Sequence, residues 1–385
     1  MPAHITHNIF ADDVIEKTIQ LNIQSGQAHN PLTGSLLDRD SGKISGDFGC
    51  FFHIGCQGPD IFYHNRRLRP SGLKFGQLLH RRGYGSFVRI FLEKTCEKPA
   101  RSETERKELL ERFAFILGFV THAILDRHTH PFINYFSGWV DPSKPQTRRY
   151  FRCHAFLERI IDVMLLKEKR EQDILHYDFF STFFCGEDFP PSLIRPYYET
   201  LKYVFPNELK EEYSVAVKRL NNAYRDSIFF YKITDPRNPR LIAELENLDL
   251  EGEKKSRRLA LVHPIELKTD IDFLNLNHKK WCNPCDCSNK RSESFLELYD
   301  MALKETMPLV ERIIFLLDSV WKKDTDESTK ILDEIEVAIG NGNLDTDIEG
   351  LDSCKPIYSS PLPLPELLDN MYDELYRDSG RYSGE

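Results

Sequence analysis

The stretch Gly118–Pro131 (GFVTHAILDRHTHP) constrains the fold more than any other part of the sequence. It places a histidine, an aspartate and a histidine four residues apart, at His122, Asp126 and His130. On an α-helix this spacing puts the side chains on one face, with neighbouring Cβ atoms roughly 5–6 Å apart. The intervening residues are mostly apolar, which predicts a helix buried on most sides. Burying a carboxylate and two imidazoles is costly unless a partner compensates, and a metal cation would do so.

A second apolar segment, His154–Asp162 (HAFLERIID), repeats this pattern. His154 and Glu158 are four residues apart, and Asp162 continues the same helical face by a further turn. One such helix on its own is more simply explained as a stripe of salt bridges. Two of them within about 40 residues, each apolar elsewhere, favour metal binding instead.

The composition predicts a mainly α-helical globular protein. The chain has 385 residues, of which 41% are hydrophobic, and this is enough for a substantial core. Many segments have apolar residues at helical spacing, whereas few resemble strands bounded by turn signals. No run of 18 apolar residues occurs, so no transmembrane helix is predicted.

Apolar spacing also locates the individual helices, and Gly, Ser, Asp and Pro mark the loops. The long helix that begins near residue 103 is expected to end or bend at Pro131, since proline lacks the N–H donor that a helix interior needs. The predicted loops and connections cover residues 24–49, 132–150 and 235–265. The other predicted helices cover residues 4–23, 73–80, 192–205, 209–233 and 293–321.

Nine cysteines at irregular spacing do not suggest a disulfide framework. Cys282, Cys285 and Cys287 form a cluster, but it supplies only three thiols and no further pair completes a zinc ribbon. An ordinary loop before a helix is therefore favoured there over a structural metal site. The first residues contain neither the basic nor the apolar region of a signal peptide, so a cytoplasmic protein is predicted.

The net charge of −9 is unevenly distributed along the chain. The tail from residue 324 carries 16 acidic and 4 basic residues, which leaves a body of about +3. A nearly neutral body gives no electrostatic signal for a nucleic-acid partner. We predict a helical metal-binding domain over residues 1–235, a helical extension packed on it over 236–323, and a partly irregular acidic tail over 324–385 with two short surface helices.

Isolated histidines and an aspartate upstream are further candidates. His4 and His7 can share one face of the first helix, and Asp60 follows a Gly-Pro turn. His64 shows no compelling pattern, and His80 ends a predicted helix. Each has a simpler explanation in isolation: an exposed helix start for the first pair, a helix cap for Asp60 and a favourable C-terminal position for His80.

Several other metal and nucleotide sites are excluded by spacing. The sequence contains no HExxH, no Glu-x-x-His and no His-Asp dipeptide, which excludes zincins, ferritin-like di-iron sites and HD phosphohydrolases. It also contains no Walker or Rossmann glycine pattern before a helix. These exclusions leave other kinds of metal-assisted chemistry as candidates.

The motif His-x3-Asp-x3-His-Pro followed by His-x3-Glu-x3-Asp, with Gly-Pro-Asp upstream at residues 58–60, resembles the zinc-dependent phospholipase C family. The superfamily also contains the P1-type nucleases, and the likeness is greatest to a soluble bacterial branch. It covers residues 7–162 well and the later helices loosely. The resemblance implies an all-α bundle of many helices with a cluster of up to three zinc ions in a cleft between them.

The resemblance also implies which residues bind each ion. One zinc would be held by Asp60, His80, His122 and Asp126. A second would be held by His130, His154 and Glu158. A third would involve His7 and a shared carboxylate, for which Asp126 is best placed. The second-choice ligands, or residues that would support the ligands, are His4, His64 and Asp162.

The N-terminus departs from the family pattern. In secreted members a processed N-terminal tryptophan donates its α-amino group to a metal, whereas this chain begins Met1-Pro2-Ala3. This difference favours two zinc ions over three.

The implied reaction is hydrolysis of a phosphodiester by a metal-activated water, with Asp60 as general base as well as ligand. A small phosphoester and a phospholipid are both candidate substrates. The alternatives are a metal-dependent nuclease of the same superfamily and a non-catalytic helical metal-binding or scaffold protein. The sequence does not indicate an oligomeric state.

Overall fold

The fold consists almost entirely of α-helices, which confirms the all-α class. The structure is a computed structural model of the chain. It describes residues 4–24, 30–97, 99–238, 257–267, 269–322, 325–346, 354 and 356–379. Strands among these residues occur only as two antiparallel pairs: β1 (Leu37–Asp38) with β2 (Lys43–Ile44), and β3 (Trp281–Cys282) with β4 (Lys290–Arg291).

The helices follow the predicted positions closely in most of the chain. In chain order they are α1 (His4–Gln24), α2 (Pro31–Leu36), α3 (Gly49–Cys56), α4 (Leu73–Arg81), α5 (Tyr84–Cys96), α6 (Glu103–Ser137), α7 (Cys153–Arg170), α8 (Phe179–Phe183), α9 (Pro191–Val204), α10 (Tyr213–Ile233), α11 (Phe295–Lys322), α12 (Thr325–Ile339) and α13 (Leu364–Ser379). Short 3₁₀ helices cover Gly58–Phe62, Pro145–Tyr150 and Ile174–His176.

Helix α6 is the centre of the fold. Its 35 residues span about 50 Å at a rise of 1.5 Å per residue. It begins with a capping box, in which the Ser102 hydroxyl accepts from Glu105 N at 3.2 Å and the Glu105 carboxylate accepts from Ser102 N at 2.9 Å. Helices α1, α3, α5, α7, α9 and α11 pack around it. The predicted metal-binding face of α6 is therefore enclosed by other helices.

Pro131 lies inside α6, which runs on to Ser137. Of the two predicted outcomes at this residue, an end or a bend of the helix, the end is therefore wrong. Proline removes one main-chain hydrogen bond from a helix interior. The turn that follows is held by packing, because the ring of Phe132 lies edge-on to Trp281 at 5.5 Å and to Phe295 at 5.8 Å between centroids. These contacts offset the lost hydrogen bond, and both partners are distant in sequence.

Helices α3 and α6 approach each other at two glycines. A Cβ atom on Gly118 would lie 2.1 Å from Phe52 O, and one on Gly55 would lie 2.1 Å from Phe115 O. The obstacle in both cases is main chain, which cannot rotate away. We expect Gly118→Ala to lower the free energy of unfolding in urea by at least about 1–3 kcal/mol, because the two helices must separate. Gly34→Ala, where a Cβ atom meets nothing within 4 Å, is the control; equal stability of the two variants would contradict the prediction.

The predicted loop 24–49 contains regular structure, which corrects that prediction for the described residues. Asn30 begins α2, since its Oδ1 accepts from Leu32 N at 2.7 Å and from Thr33 N at 3.0 Å. The pair β1–β2 follows directly. Residues 25–29 lie outside the described part, as do residues 239–256 of the predicted connection 235–265.

The cysteine prediction is also wrong. Six cysteines form three disulfides: Cys50–Cys185, Cys282–Cys287 and Cys285–Cys354. The three thiols at 282–287 are thus not free to bind a metal, and residues 283–289 form the loop between β3 and β4. Two of the bonds join residues 135 and 69 positions apart, a pairing that spacing alone does not reveal. Disulfides are typical of oxidising compartments. The three bonds therefore argue against a cytoplasmic location, which stays a prediction.

The acidic tail contributes to the core rather than lying on the surface. Helix α12 packs against α5 and buries Ile331, Leu332, Ile335 and Ile339. The division of the chain into three domains stays a prediction. Among the described residues, no helix has the length and apolar character needed to cross a membrane.

Candidate metal centre

One face of α6 carries the first three residues of the centre. His122, Asp126 and His130 are all at least 97% buried. His122 Nε2 lies 3.0 Å from Asp126 Oδ2, and His130 Nε2 lies 3.4 Å from Asp126 Oδ1. The spacing of four residues therefore brings both imidazoles to the same carboxylate, as the sequence predicted.

Asp60 reaches this face from the 3₁₀ helix Gly58–Phe62. Its Oδ1 lies 2.7 Å from His80 Nε2, and its Oδ2 lies 3.7 Å from His122 Nε2. Gly58 makes the approach feasible, because it adopts a left-handed φ of +52° and a Cβ atom there would lie 2.5 Å from the His122 ring. The Gly-Pro-Asp turn thus delivers Asp60 to the centre through close contact with one of its histidines.

The first helix contributes His7. Its Nε2 lies 3.2 Å from Asp126 Oδ1, and its ring stacks on His122 with centroids 4.3 Å apart. Asp126 therefore contacts three imidazoles from two helices. This position fits the shared carboxylate that the resemblance implied, a role that stays a prediction.

Helix α7 supplies the opposite wall. His154 Nε2 lies 2.9 Å from Glu158 Oε1, and the same oxygen lies 3.5 Å from His130 Nε2. His130 is therefore situated between the carboxylates of α6 and α7, at the junction between the two helices.

The structure brings together all eight residues predicted as ligands, in three groups that could hold an ion, two of which share His130. These are His7, Asp60, His122 and Asp126; His80, His130 and Asp345; and His130, His154 and Glu158. Two groupings differ from the expectation. His7 lies with Asp60 and His122, whereas His80 lies with His130 and remains connected to Asp60 only through its Nε2. The roles of these residues as ligands stay predictions.

Sequence reasoning missed Asp345. Its Oδ1 lies 3.1 Å from His130 Nδ1 and 3.5 Å from His80 Nδ1. It belongs to the acidic tail, 215 residues after His130, and no helical spacing connects it to either histidine. The only signal available was an aspartate beside a Gly- and Asn-rich turn, which is a common loop feature.

The three predicted supporting residues lie next to the centre rather than in its groups. Asp162 Oδ1 accepts from both the main-chain N and the hydroxyl of Thr6 at 2.7 Å, which fixes the turn of α1 that carries His7. His4 Nε2 lies 2.8 Å from Arg159 Nη2, and His64 Nδ1 lies 3.2 Å from the hydroxyl of Ser227. Asp162 thus supports His7 indirectly, while His4 and His64 belong to a neighbouring polar cluster.

The electrostatics of the centre favour ionised carboxylates. Burial raises the pKa of Asp60, but His80 and His122 outweigh burial and hold this pKa below its usual value. Burial opposes ionisation of Asp126 likewise, and His122 and His130 hold its pKa well below normal. Burial lowers the pKa of His80 and His130, but Asp60 and Asp126 respectively raise each to about 10. The lowered pKa values of Asp60 and Asp126 favour the ionised carboxylates that bind a cation.

The donor set fits zinc. Asp60 Oδ2 and Glu158 Oε2 are buried without a hydrogen bond from the described residues, and Asp126 Oδ2 has only its ion-pair contact with His122 Nε2 at 3.0 Å. Buried polar atoms of this kind are costly unless a partner is present. Imidazole nitrogens and carboxylate oxygens are ligands that zinc takes in proteins. The residues therefore match a cation in chemistry as well as in position.

An open cavity of about 440 Å³ gives access to the centre. His80, His130, His154 and Asp345 lie in its wall. Arg152 also lines the cavity, at the turn that precedes α7. Additional lining residues include Tyr63, Asn134 and Asn343. The histidines of the second and third groups are thus the ones that face an incoming molecule.

A sequence profile described as zinc dependent phospholipase C matches residues 28–230. The chain belongs to this family. The matched region contains Asp60, His80, the face of α6 and the face of α7, but neither His7 nor Asp345. Comparison with curated proteins and with solved structures finds no match. Membership supports a metal-dependent phosphoesterase, and the buried groups of the structure could hold the metal.

Proposed function

We propose that this protein is a zinc-dependent phosphoesterase that hydrolyses a phosphodiester. The observation that carries the proposal is the buried convergence of histidines and carboxylates on Asp126, next to a cavity open to solvent. Family membership supports the same reaction class. A structural zinc site is usually closed by four protein ligands, whereas a catalytic site keeps an accessible position.

Two zinc ions are proposed. The first would be bound around Asp60, with His80, His122 and Asp126. The second would be bound by His130, His154 and Glu158. His7 would bind a third ion if one is present, together with Asp126. When bound, zinc ions lower the pKa of a water molecule and neutralise charge on phosphoryl oxygens.

Asp60 is proposed as the general base. Its Oδ2 has no hydrogen bond from the described residues and is therefore available to take a proton from an attacking water. Its Oδ1 lies 2.7 Å from His80 Nε2, and a zinc ion bound by both atoms would fix the orientation of the carboxylate. Orientation of this kind contributes to catalysis because the proton acceptor does not have to search for its position.

The cavity supports a substrate with a compact phosphoester head. Its volume of about 440 Å³ is within the range of small-molecule sites. Arg152 would bind the phosphate, since a guanidinium forms strong charge-assisted hydrogen bonds with phosphate oxygens. A free phosphoester and the head group of a phospholipid share this chemistry, and we propose the phosphodiester itself as the recognised group.

The test combines metal analysis with turnover. Zinc per chain is measured by elemental analysis, and hydrolysis is followed with bis-p-nitrophenyl phosphate, phosphatidylcholine vesicles and single-stranded DNA. Two zinc ions per chain together with hydrolysis of bis-p-nitrophenyl phosphate support the proposal. Hydrolysis of the phosphatidylcholine vesicles would identify a phospholipase. Turnover of DNA alone would favour a nuclease. Bound zinc without any hydrolysis would favour a scaffold protein. Less than one zinc ion per chain would contradict the proposed metal centre.

Arg152→Ala is expected to raise KM for bis-p-nitrophenyl phosphate by about 10–100-fold, which corresponds to the roughly 1.5–3 kcal/mol of a hydrogen bond to a charged group. kcat should change little, since the guanidinium binds the phosphate and transfers no proton. The control is Arg148→Ala, which removes an exposed arginine nearby. Steady-state kinetics decide the matter: an unchanged KM would show that Arg152 does not bind the substrate.

A further inference from the structure

Two histidines of the centre have their rings fixed by a hydrogen bond on the side away from the carboxylates. His122 Nδ1 contacts the main-chain oxygen of Cys56 at 3.1 Å. His154 Nδ1 contacts Asn134 Oδ1 at 3.0 Å. Histidines that bind metals usually donate their second ring N–H in this way, which fixes the tautomer and the ring orientation. In both residues Nε2 is thereby directed to the centre.

Asp345 occupies the corresponding position behind two further histidines at once. Its Oδ1 lies 3.1 Å from His130 Nδ1 and 3.5 Å from His80 Nδ1. On the opposite sides of these rings, His80 Nε2 contacts Asp60 at 2.7 Å and His130 Nε2 lies 3.4 Å from Asp126. One carboxylate thus lies behind two rings, with a hydrogen bond to His130 Nδ1 and a longer contact to His80 Nδ1.

The main chain around Asp345 is fixed by four hydrogen bonds. Asn343 Oδ1 accepts from Asp345 N at 2.8 Å, and Asn134 Nδ2 donates to Asp345 O at 3.0 Å. Leu344 N donates to His80 O at 2.8 Å. Asn283 Nδ2 donates to the oxygen of the following residue, Thr346, at 2.8 Å. A carboxylate on a segment anchored this firmly can hold two rings in place.

We propose that Asp345 is a positioning residue of the metal centre, which orients His130 by accepting a hydrogen bond from its Nδ1 and orients His80 through the 3.5 Å contact of the same oxygen with His80 Nδ1. The inference rests on the proposed function in taking the centre to bind zinc. It goes beyond the family match, which ends at residue 230. The acidic C-terminal part of this chain therefore supplies a component of the centre that the matched region lacks.

The consequence is a defined loss of zinc affinity. Without Asp345, the rings of His80 and His130 gain rotational freedom that zinc binding must remove. Loss of such a partner typically weakens metal binding about 10–100-fold. Asparagine keeps the size of the side chain but accepts through only one oxygen, so Asp345→Asn should lie between wild type and Asp345→Ala.

The experiment measures the zinc dissociation constant by competition with a chromophoric chelator in the full-length protein. Asp345→Ala is expected to bind zinc about 10–100-fold more weakly than wild type, and Asp345→Glu to recover part of the loss because it restores the carboxylate. Thermal unfolding of the zinc-free variants shows whether folding is retained. Asp333→Asn is the matched control, since it removes a tail aspartate that pairs with Arg89 and touches no histidine.

The outcomes separate the two proposals. Wild-type protein that binds no zinc overturns the proposed function and this inference together. Wild-type protein that binds zinc, with an equal dissociation constant in Asp345→Ala, overturns the inference alone. Loss of one whole zinc per chain, with the remaining zinc bound as tightly as before, would make Asp345 a direct ligand and also overturn its positioning role. A uniform drop in affinity with partial recovery in Asp345→Glu supports it.

Discussion

Asp60→Asn is expected to lower kcat for phosphodiester hydrolysis by roughly 10²–10⁴-fold, the usual contribution of a general base. Asparagine has nearly the same shape as aspartate and keeps a side-chain oxygen in the place of Oδ1, which lies 2.7 Å from His80 Nε2 in the native protein. It cannot take a proton from water. The loss should therefore appear in kcat at saturating substrate, measured with bis-p-nitrophenyl phosphate, while far-ultraviolet circular dichroism stays unchanged.

Zinc content must be measured on the same variant, because Asp60 is proposed as a ligand as well as a base. The control is Asp12→Asn, which disrupts another aspartate–histidine pair, with His53 at 3.3 Å, outside the centre. That variant should retain full activity. A kcat for Asp60→Asn within about threefold of wild type would exclude the general-base role, since even the low end of the expected effect is larger.

Asp126→Ala is expected to abolish measurable hydrolysis and to remove at least one zinc ion per chain. Asp126 contacts His7, His122 and His130, so its loss leaves three buried imidazoles without their common carboxylate. The remaining donors carry less negative charge, which makes binding of a divalent cation less favourable. Elemental analysis after dialysis against a weak chelator measures the bound zinc.

A buried aspartate elsewhere provides the control for this change. Asp226 is 99% buried and accepts from Asn65 Nδ2 at 2.8 Å and from the main-chain nitrogens of Arg67 and Leu68 at 2.9 Å. Asp226→Ala should lower the melting temperature, because buried donors lose their acceptor, but it should keep its zinc. Full zinc occupancy in Asp126→Ala would show that the centre does not depend on the shared carboxylate.

The sequence predicted those parts of the centre in which the ligand residues recur every four positions along one helix. His122, Asp126 and His130 repeat every four residues, and His154 and Glu158 do the same, so helix geometry alone brings each set together. The all-α fold followed from the same periodicity over the whole chain. The resemblance then added Asp60, His7 and His80, whose individual positions carry no such signal.

What the sequence did not reveal depends on contacts between distant residues. Asp345 meets His130 across 215 positions, and Cys50 meets Cys185 across 135. Pro131 remains helical because rings from other elements pack on the following turn. Neither spacing nor propensity encodes such contacts, since they arise only when the helices assemble.

Phe295, the first residue of α11, lines a small inner cavity together with His7, Asp126 and Glu158. It lies beyond residue 230, where the family match ends. Its ring is 98% buried and adds apolar surface beside the two carboxylates, and charges attract each other more strongly in a medium of low dielectric constant. A truncated chain that stops after α10 would therefore keep most of the proposed ligands but expose them more to water, where their charges interact more weakly. The shortest functional form of this protein should therefore extend at least through α11.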